Sequence, residues 1–248
     1  MESNDSFRSE KFYETMARHP YVRDVYLAYL IEGARRTRPD GFPIIEGWMI
    51  PDSPPKHLLQ WDRRYDKHDP RKTGMCFYSV DSKLTPVLNS PRQYVDRLRA
   101  YECVVGLDAS PYDNMPLVVQ KSQIYINLAI TYYFGSCGLK VIPNVRVGNN
   151  ATLSSLEAYP KNHLICIGTN GFTHRLDNRK IFREQVSCVV ESLTPSGILV
   201  YGPASDYVFE SAMRRSIPIY QYDSYMMIRN RMLSSERKTR NGRHSDER

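Results

Sequence analysis

Short apolar runs that end abruptly in polar, Gly or Pro residues are the dominant pattern along this chain. They are Met75–Val80, Cys103–Leu107, Lys140–Val145, Leu164–Gly168, Ile198–Tyr201 and Ile217–Tyr220. Segments with helical spacing separate most of these runs, so the pattern predicts repeated strand–loop–helix units around a parallel sheet. We therefore expect an α/β fold.

The expected sheet is predominantly parallel, has six or more strands and is flanked by helices. Six visible strands are fewer than the eight of a closed TIM barrel, so a doubly wound sheet and an incomplete TIM-like barrel both fit. One or two further strands are expected within residues 40–60, where Phe42–Ile45 and Trp48–Ile50 are apolar.

Helices are predicted between and after these strands. The predicted segments are Pro91–Ala100, Met115–Phe134, Arg179–Leu193, Ser205–Met213 and Ser224–Leu233. Pro91 after Ser90 is a favourable helix start, and Ser205 is a preferred capping residue. We interpret the apolar stripes of these helices as core-packing faces rather than as cofactor sites.

Changes in composition divide the chain into four segments. Residues 1–36 are expected to form an N-terminal helical segment, and residues 37–73, rich in Pro, an arm that packs on the core. Residues 74–235 are expected to form the α/β core domain. Residues 236–248 contain no apolar residue, so this basic tail is expected to be disordered.

The charge balance favours acidic partners. The sequence has 34 Lys and Arg against 27 Asp and Glu, a formal net charge of +7. The tail cations Arg237, Lys238, Arg240 and Arg243 are candidates for a nucleic-acid-binding arm, and a solvated terminus is the alternative. We expect nucleic acid as a partner, and a protein partner or a homo-oligomer remains open.

Membrane and secretion signals are not evident. No run of 18 apolar residues occurs, so no membrane partner is expected. The start of the chain is acidic and polar rather than typical of a secretion signal. With five cysteines in no metal-binding spacing, we expect reduced thiols and a cytoplasmic location, which is the host-cell cytoplasm if the protein is phage-encoded.

Candidate catalytic residues follow the strands, because ligands in such folds gather outside the carboxyl ends of the strands. Asp81 and Asp108 each come directly after an apolar run and are candidate ligands for Mg²⁺ or Mn²⁺. The alternative is that they cap loop amides or pair with arginines. His174 is a candidate general acid or base. If the protein is an enzyme, a metal-dependent hydrolase of the phosphodiesterase type is the first expectation.

The same loops supply candidate binding residues. They are Asn144, Arg146, Thr169, Asn170, Arg175, Tyr201 and Ser205. The two arginines can neutralise phosphate charge, and the Gly-containing loops can present backbone amides to an anion at helix starts. None of these loops matches the Walker or GxGxxG patterns, so they do not identify a particular cofactor.

Four strings in this region resemble a known family. They are Leu107–Pro116, Val141–Arg146 followed by Gly148, Ile167–Gly171 and Val200–Gly202. Over residues 40–220 the chain resembles the domain of unknown function 4417, a family frequent in phages, prophages and other mobile elements. The string Ile-Pro-Asn-Val-Arg that ends at Arg146 is the most specific part. The resemblance implies a mobile-element context and no established activity.

The net positive charge, the basic tail and the family resemblance together predict a phage or mobile-element protein. It is expected to bind or process nucleic acid through the loops after its strands. Two alternatives remain open. A small-molecule or nucleotide enzyme on the same loop face would have a closed pocket there. A non-catalytic phage factor would instead capture a host protein or a signalling nucleotide without turnover.

Overall fold

Parallel strands form the centre of the chain in a computed structural model that describes residues 27–169, 176–231 and 233–234. The strands are β1 (His57–Gln60), β2 (Thr73–Cys76), β3 (Cys103–Val105), β4 (Val141–Ile142), β5 (Leu164–Gly168), β6 (Gly197–Tyr201) and β7 (Ile219–Tyr222). They form a four-stranded sheet in the order β1-β2-β3-β4 and a three-stranded sheet in the order β5-β6-β7. All strand pairings within the two sheets are parallel.

The two sheets meet directly after β4. A parallel bridge joins Asn144 to Cys166, and the Val145 amide donates to the Cys166 carbonyl at 2.9 Å. At the opposite edges, the Tyr222 hydroxyl donates to the Pro55 carbonyl at 2.6 Å, which brings β7 close to the start of β1. The predicted α/β class with parallel strands is thus confirmed, although the strands are divided between two sheets rather than combined in one.

Each predicted apolar run overlaps one of the strands β2 to β7. The further strand, β1, lies within residues 40–60 but at neither of the two places predicted. Gly47–Met49 is instead a 3-10 helix, and Pro43 forms only an isolated antiparallel bridge with Arg36. Phe42, Ile45 and Met49 are buried in the core from this irregular segment. Apolar residues in a Pro-rich stretch therefore fill the core without a strand ladder.

The helices follow the predicted segments closely. They are α1 (Asp81–Asn89), α2 (Val95–Leu98), α3 (Leu117–Ser136), α4 (Leu176–Leu193) and α5 (Asp206–Arg214). A 3-10 turn at Pro91–Tyr94 leads into α2, and residues 225–231 are helical. Helix α1 lies where the sequence predicts a loop at Asp81–Lys83, and it accommodates Pro86 in its interior.

The core lies between the strands and the helices that connect them. Every residue of β2, β5 and β6 is buried, which is typical of strands covered on both faces. Within the part of the chain that the structure describes, no helix is both long and apolar enough to cross a membrane. Most of the predicted N-terminal helical segment and the basic tail lie outside the described residues.

Candidate functional site

A cavity of about 530 Å³ opens at the carboxyl ends of β2, β3, β4 and β5. It is lined by Tyr78, Ser79, Val80, Asp108, Ser110, Pro111, Tyr112, Asp113, Arg146, Val147, Gly148, Gly168, Asn178, Ile181 and Gln185. Most of these residues belong to loops that follow strands, and the last three belong to α4. The cavity therefore lies at the sheet edge where parallel α/β folds bind ligands.

An ion pair between Asp108 and Arg146 lies in the wall of this cavity. The Arg146 guanidinium donates from Nε to Asp108 Oδ1 and from Nη2 to Oδ2, the latter at 2.7 Å. Asn144 Nδ2 donates to the same Oδ1 at 2.7 Å. The two charged side chains are only 11% and 10% exposed, so water screens their attraction little. Three predicted site residues thus form one hydrogen-bonded cluster.

The ion pair determines the charge state of the arginine. Burial lowers the pKa of Arg146, but the charge of Asp108 and its hydrogen bond outweigh that effect and raise the pKa above its ordinary value. The guanidinium is therefore fully charged at any physiological pH. The geometry places one cation and one anion side by side in the wall of the cavity.

The predicted metal site is not supported by the environment of Asp108. Both of its carboxylate oxygens accept hydrogen bonds from Arg146, which is the alternative that the sequence left open. Asp81 begins α1, and its side chain lies outside the described residues. In residues 27–169, 176–231 and 233–234, no group of three or more His, Cys, Asp or Glu side chains is arranged to hold a metal ion.

Tyr78 connects the cavity to the interior between the sheets. Its hydroxyl donates to Asn144 Oδ1 at 2.9 Å and lies 3.0 Å from Cys166 Sγ. Its ring stacks on Tyr201 with centroids 4.5 Å apart. Any side chain at position 168 would collide with this ring, because a Cβ on Gly168 would lie 2.5 Å from Tyr78 Cε1. Burial is the main cause that raises the pKa of Tyr78, so its hydroxyl stays protonated.

Two buried amides on α3 hold the loops that line the cavity. Asn127 accepts a hydrogen bond from the Ala109 amide at 2.9 Å and donates to the Ala109 carbonyl at 2.8 Å. Gln120 donates to the Met115 carbonyl at 2.7 Å and accepts from the Asn149 amide at 2.9 Å. Because α3 is packed into the core, these contacts fix the loops after β3 and β4 relative to each other.

Large apolar side chains are exposed at the cavity. Val80 is 64% exposed, Tyr112 is 52% exposed and Ile181 is 46% exposed. Each comes from a different part of the chain, and all three contact the same space. These three side chains form the apolar rim of the cavity. Together with the ion pair in the cavity wall, this rim suits a ligand with a flat apolar part and polar groups at one end.

Three other predicted binding residues do not line the cavity. Thr169 is buried, and its amide donates to the Tyr201 carbonyl at 3.1 Å. The Tyr201 hydroxyl accepts a hydrogen bond from the Tyr225 amide. Ser205 precedes α5 without a side-chain capping bond, and its hydroxyl is buried without a partner among the described residues.

The remaining predicted residues lie outside the described part of the chain. They are Asn170, His174, Arg175, Arg237, Lys238, Arg240 and Arg243. Their roles stay predictions.

Sequence reasoning missed several residues of the site. Gln120 and Asn127 carry amides on the apolar stripe of α3, and this interruption was a usable signal. Tyr78 and Ser79 carry the two hydroxyl groups of the otherwise apolar run Met75–Val80, which is a weaker signal. Nothing in the sequence distinguishes Ile181 and Gln185 from other helical residues, because their role depends on how α4 packs.

Comparison with known proteins adds a family and a phage relative. A family described as Domain of unknown function (DUF4417) matches residues 43–223, which confirms the resemblance drawn from the sequence. The Gene 1 protein of Mycobacterium phage L5 is 23% identical over 154 residues, which cover 61% of this chain and 67% of that protein. No solved structure matches the chain significantly.

Proposed function

This chain belongs to the family described as Domain of unknown function (DUF4417), and on that premise we propose that it is a phage or mobile-element protein that binds a nucleotide unit in its cavity. The observation that carries the proposal is the cavity itself, with its apolar rim and the ion pair in its wall. At about 530 Å³ it has the size of a small-molecule site. A phage relative supports the mobile-element context.

The chemistry of the cavity suits the two parts of a nucleotide. Tyr112 offers an aromatic ring on which a base can stack, and such stacking contributes about 1–3 kcal/mol per base. Ile181 adds apolar surface beside it. Arg146 and Asp108 offer a donor group and an acceptor group in the wall of the same cavity. Because both carboxylate oxygens of Asp108 accept hydrogen bonds from Arg146, the proposal is limited to binding of the nucleotide.

Two sources of the nucleotide share this chemistry. A concave cavity favours a free nucleotide, as in the expected small-molecule alternative. The formal net charge of +7 favours a nucleotide within a nucleic acid, because phosphate contacts dominate that kind of binding. Nucleic acid is therefore the second candidate ligand, and the net charge is the observation that favours it.

We further propose that the two sheets together form an incomplete TIM-like barrel. The bridge between Asn144 and Cys166 continues the strand order from β4 to β5. The Tyr222–Pro55 hydrogen bond and the stack of Tyr78 on Tyr201 support a closed interior. In barrels of this kind the loops after the strands form the ligand site, in agreement with the position of the cavity.

Titration of nucleoside monophosphates tests the proposed function. We expect at least one of them to raise the unfolding temperature, since a ligand at 100 times its Kd stabilises the native state by about 2.7 kcal/mol. Tyr112→Ala and Ile181→Ala are expected to weaken this binding. Inorganic phosphate alone is expected to bind weakly, because it cannot contact the apolar rim.

Matched controls come from exposed side chains away from the cavity. Tyr65 is 80% exposed and Val118 is 75% exposed, and neither lines the cavity. Tyr65→Ala and Val118→Ala are expected to leave nucleotide affinity unchanged. The proposal is wrong if no nucleotide binds, whether free or in a short single strand, or if the cavity variants bind as tightly as the controls.

A further inference from the structure

The charged side chains that line the cavity carry an excess of negative charge. Among the described residues they are Asp108, Asp113 and Arg146, two carboxylates and one guanidinium, so their formal charge is −1. Asp108 and Arg146 neutralise each other, because the guanidinium donates to both carboxylate oxygens and both side chains are about nine-tenths buried. Asp113 is exposed, and its carboxylate makes no ion pair or hydrogen bond with the described residues. The described part of the wall therefore repels a phosphate more than it attracts one.

The carboxylates also favour a ligand that donates hydrogen bonds. Among the described residues, Asp108 Oδ1 accepts from Asn144 and Arg146, whereas Oδ2 accepts from Arg146 alone. Since an ionised carboxylate has about four acceptor positions, Oδ2 retains one of them for a ligand. A nucleobase carries N–H groups that can donate to such an oxygen. A phosphate monoester at neutral pH has a charge of about −1.5 to −2 and offers mainly acceptor oxygens.

The uncharged part of the lining favours the base as well. The ring of Tyr112, in the apolar rim, is 52% exposed. A base that stacks on this ring removes apolar surface from water, whereas a phosphate at the same place loses hydration without gaining a charged partner. Ser110 and Asn178 add neutral polar groups for a base or a sugar. Apolar surface and charge therefore favour the same end of a nucleotide.

We propose that the cavity takes a nucleotide by its base, with the phosphate left in water at the apolar rim. The inference rests on the proposed function and names the part of the ligand that the site recognises. It gives Arg146 the role of holding Asp108 in the wall, in place of the phosphate contact expected from the sequence. A free nucleotide and a base of a single strand can both bind in this way.

Isothermal titration calorimetry with nucleosides and their 5′-monophosphates tests the orientation. The probes are adenosine, guanosine, cytidine, uridine and the corresponding monophosphates. For the base that binds best, the nucleoside is expected to bind at least as tightly as the monophosphate. Raising NaCl from about 50 mM to about 500 mM is expected to lower neither affinity, because salt screens the repulsion of the phosphate. Monophosphate binding that is more than about 10-fold tighter than nucleoside binding, and that weakens as salt rises, would overturn the orientation.

Asp113→Asn tests the charge of the wall directly. Without this carboxylate, the ratio of monophosphate affinity to nucleoside affinity is expected to rise about 2- to 5-fold. The matched control is Asp96→Asn, which makes the same change in net charge at a side chain that is 99% exposed and does not line the cavity. Asp96→Asn is expected to leave the ratio unchanged. An equal rise in both variants would be an effect of net charge and would contradict the argument from the wall.

Arg175 provides a second test, because the sequence predicts that it contacts phosphate and it lies outside the described residues. Arg175→Gln is expected to change the affinities for nucleoside and monophosphate by the same factor. A loss confined to the monophosphate would show a phosphate contact and overturn the orientation.

A four-nucleotide single strand distinguishes the two sources of the base. If it binds more tightly than the nucleoside, and Tyr112→Ala weakens it, the base in the cavity belongs to a strand. If it binds no more tightly than the nucleoside, the ligand is a free nucleotide. Both results support entry of the base, because each depends on a nucleoside that binds without a phosphate.

The two proposals fail in different ways. If the monophosphate binds more than about 10-fold tighter than the nucleoside and Tyr112→Ala weakens it, the orientation is wrong and the cavity proposal stands. If nucleoside and monophosphate bind equally but Tyr112→Ala and Ile181→Ala weaken neither, the cavity proposal is wrong and the orientation fails with it. If no probe binds, both are wrong.

Discussion

Replacing Arg146 with Met removes two of the three hydrogen bonds that the Asp108 carboxylate accepts and leaves its charge with only Asn144. Both charged side chains are about nine-tenths buried, so little water is available to replace the guanidinium. Breaking a buried ion pair by removing one partner typically costs about 3–5 kcal/mol. For a chain of this length that corresponds to a drop in unfolding temperature of about 6–20 °C.

The assay is urea unfolding followed by tryptophan fluorescence and circular dichroism. Trp61 is buried against Phe77 and Tyr94, whereas Trp48 is 63% exposed, so the change in emission on unfolding is expected to come mainly from Trp61. Coincident transitions by the two methods are needed before a free energy of unfolding is assigned. A double-mutant cycle with Asp108→Asn then isolates the interaction energy of the ion pair. The double variant is expected to lose much less free energy of unfolding than the sum of the losses in the two single variants.

The matched control is Arg35→Met. Arg35 also donates two hydrogen bonds to one carboxylate, from Nε and Nη2 to the Glu46 oxygens at 2.8 Å each, but its side chain is 70% exposed. Because water and ions replace the arginine there, Arg35→Met is expected to leave the urea midpoint almost unchanged. The argument is that burial makes this ion pair costly to break. It would be refuted if Arg146→Met lost less than about 1 kcal/mol of the free energy of unfolding, or if the two single losses were strictly additive in the double variant.

Three further predictions follow from the same region. Asn127→Leu leaves the Ala109 amide and carbonyl without partners and is expected to cost about 2–6 kcal/mol, measured by urea unfolding. Gly148→Ala places a Cβ 2.0 Å from Gln120 Oε1, so nucleotide affinity and stability should both fall in titration and melting experiments. Burial, foremost, raises the pKa of the Cys166 thiol from 9.0 to about 12, so the folded chain keeps a proton that the unfolded chain releases. The free energy of unfolding should therefore fall as pH rises from about 9 to about 12, and Cys166→Ala should reduce that slope in urea titrations.

Each of these predictions has a result that contradicts it. Unchanged stability in Asn127→Leu would mean that the loop after β3 does not depend on α3. Full nucleotide affinity in Gly148→Ala would mean that Gln120 shifts to accommodate the added methyl group without changing the cavity. For the alkaline slope, Cys137→Ala is the comparison, because Cys137 is only half-buried. An equal effect of Cys137→Ala and Cys166→Ala would remove burial of Cys166 as the cause.

The strands and most helices were predictable because their signals are local. A run such as Leu164–Gly168 must be buried along its whole length, and burial on both faces of a parallel strand leaves a continuous apolar string in the sequence. The carboxyl ends of these runs then identify the loop face of the fold. The position of the candidate site therefore followed from pattern alone, and Asp108, Asn144 and Arg146 were among its predicted members.

The role of those residues depended on the tertiary structure. Asp108 and Arg146 are 38 positions apart, and no sequence pattern distinguishes a carboxylate that binds a metal from one that accepts two hydrogen bonds from a guanidinium. Their pairing depends on how β3 and β4 align, and on Asn127, which holds the adjacent Ala109. The sequence by itself determined which segments are buried, because hydrophobic burial is a property of local composition. Only the packed structure decided which polar groups meet, because that depends on contacts between distant loops.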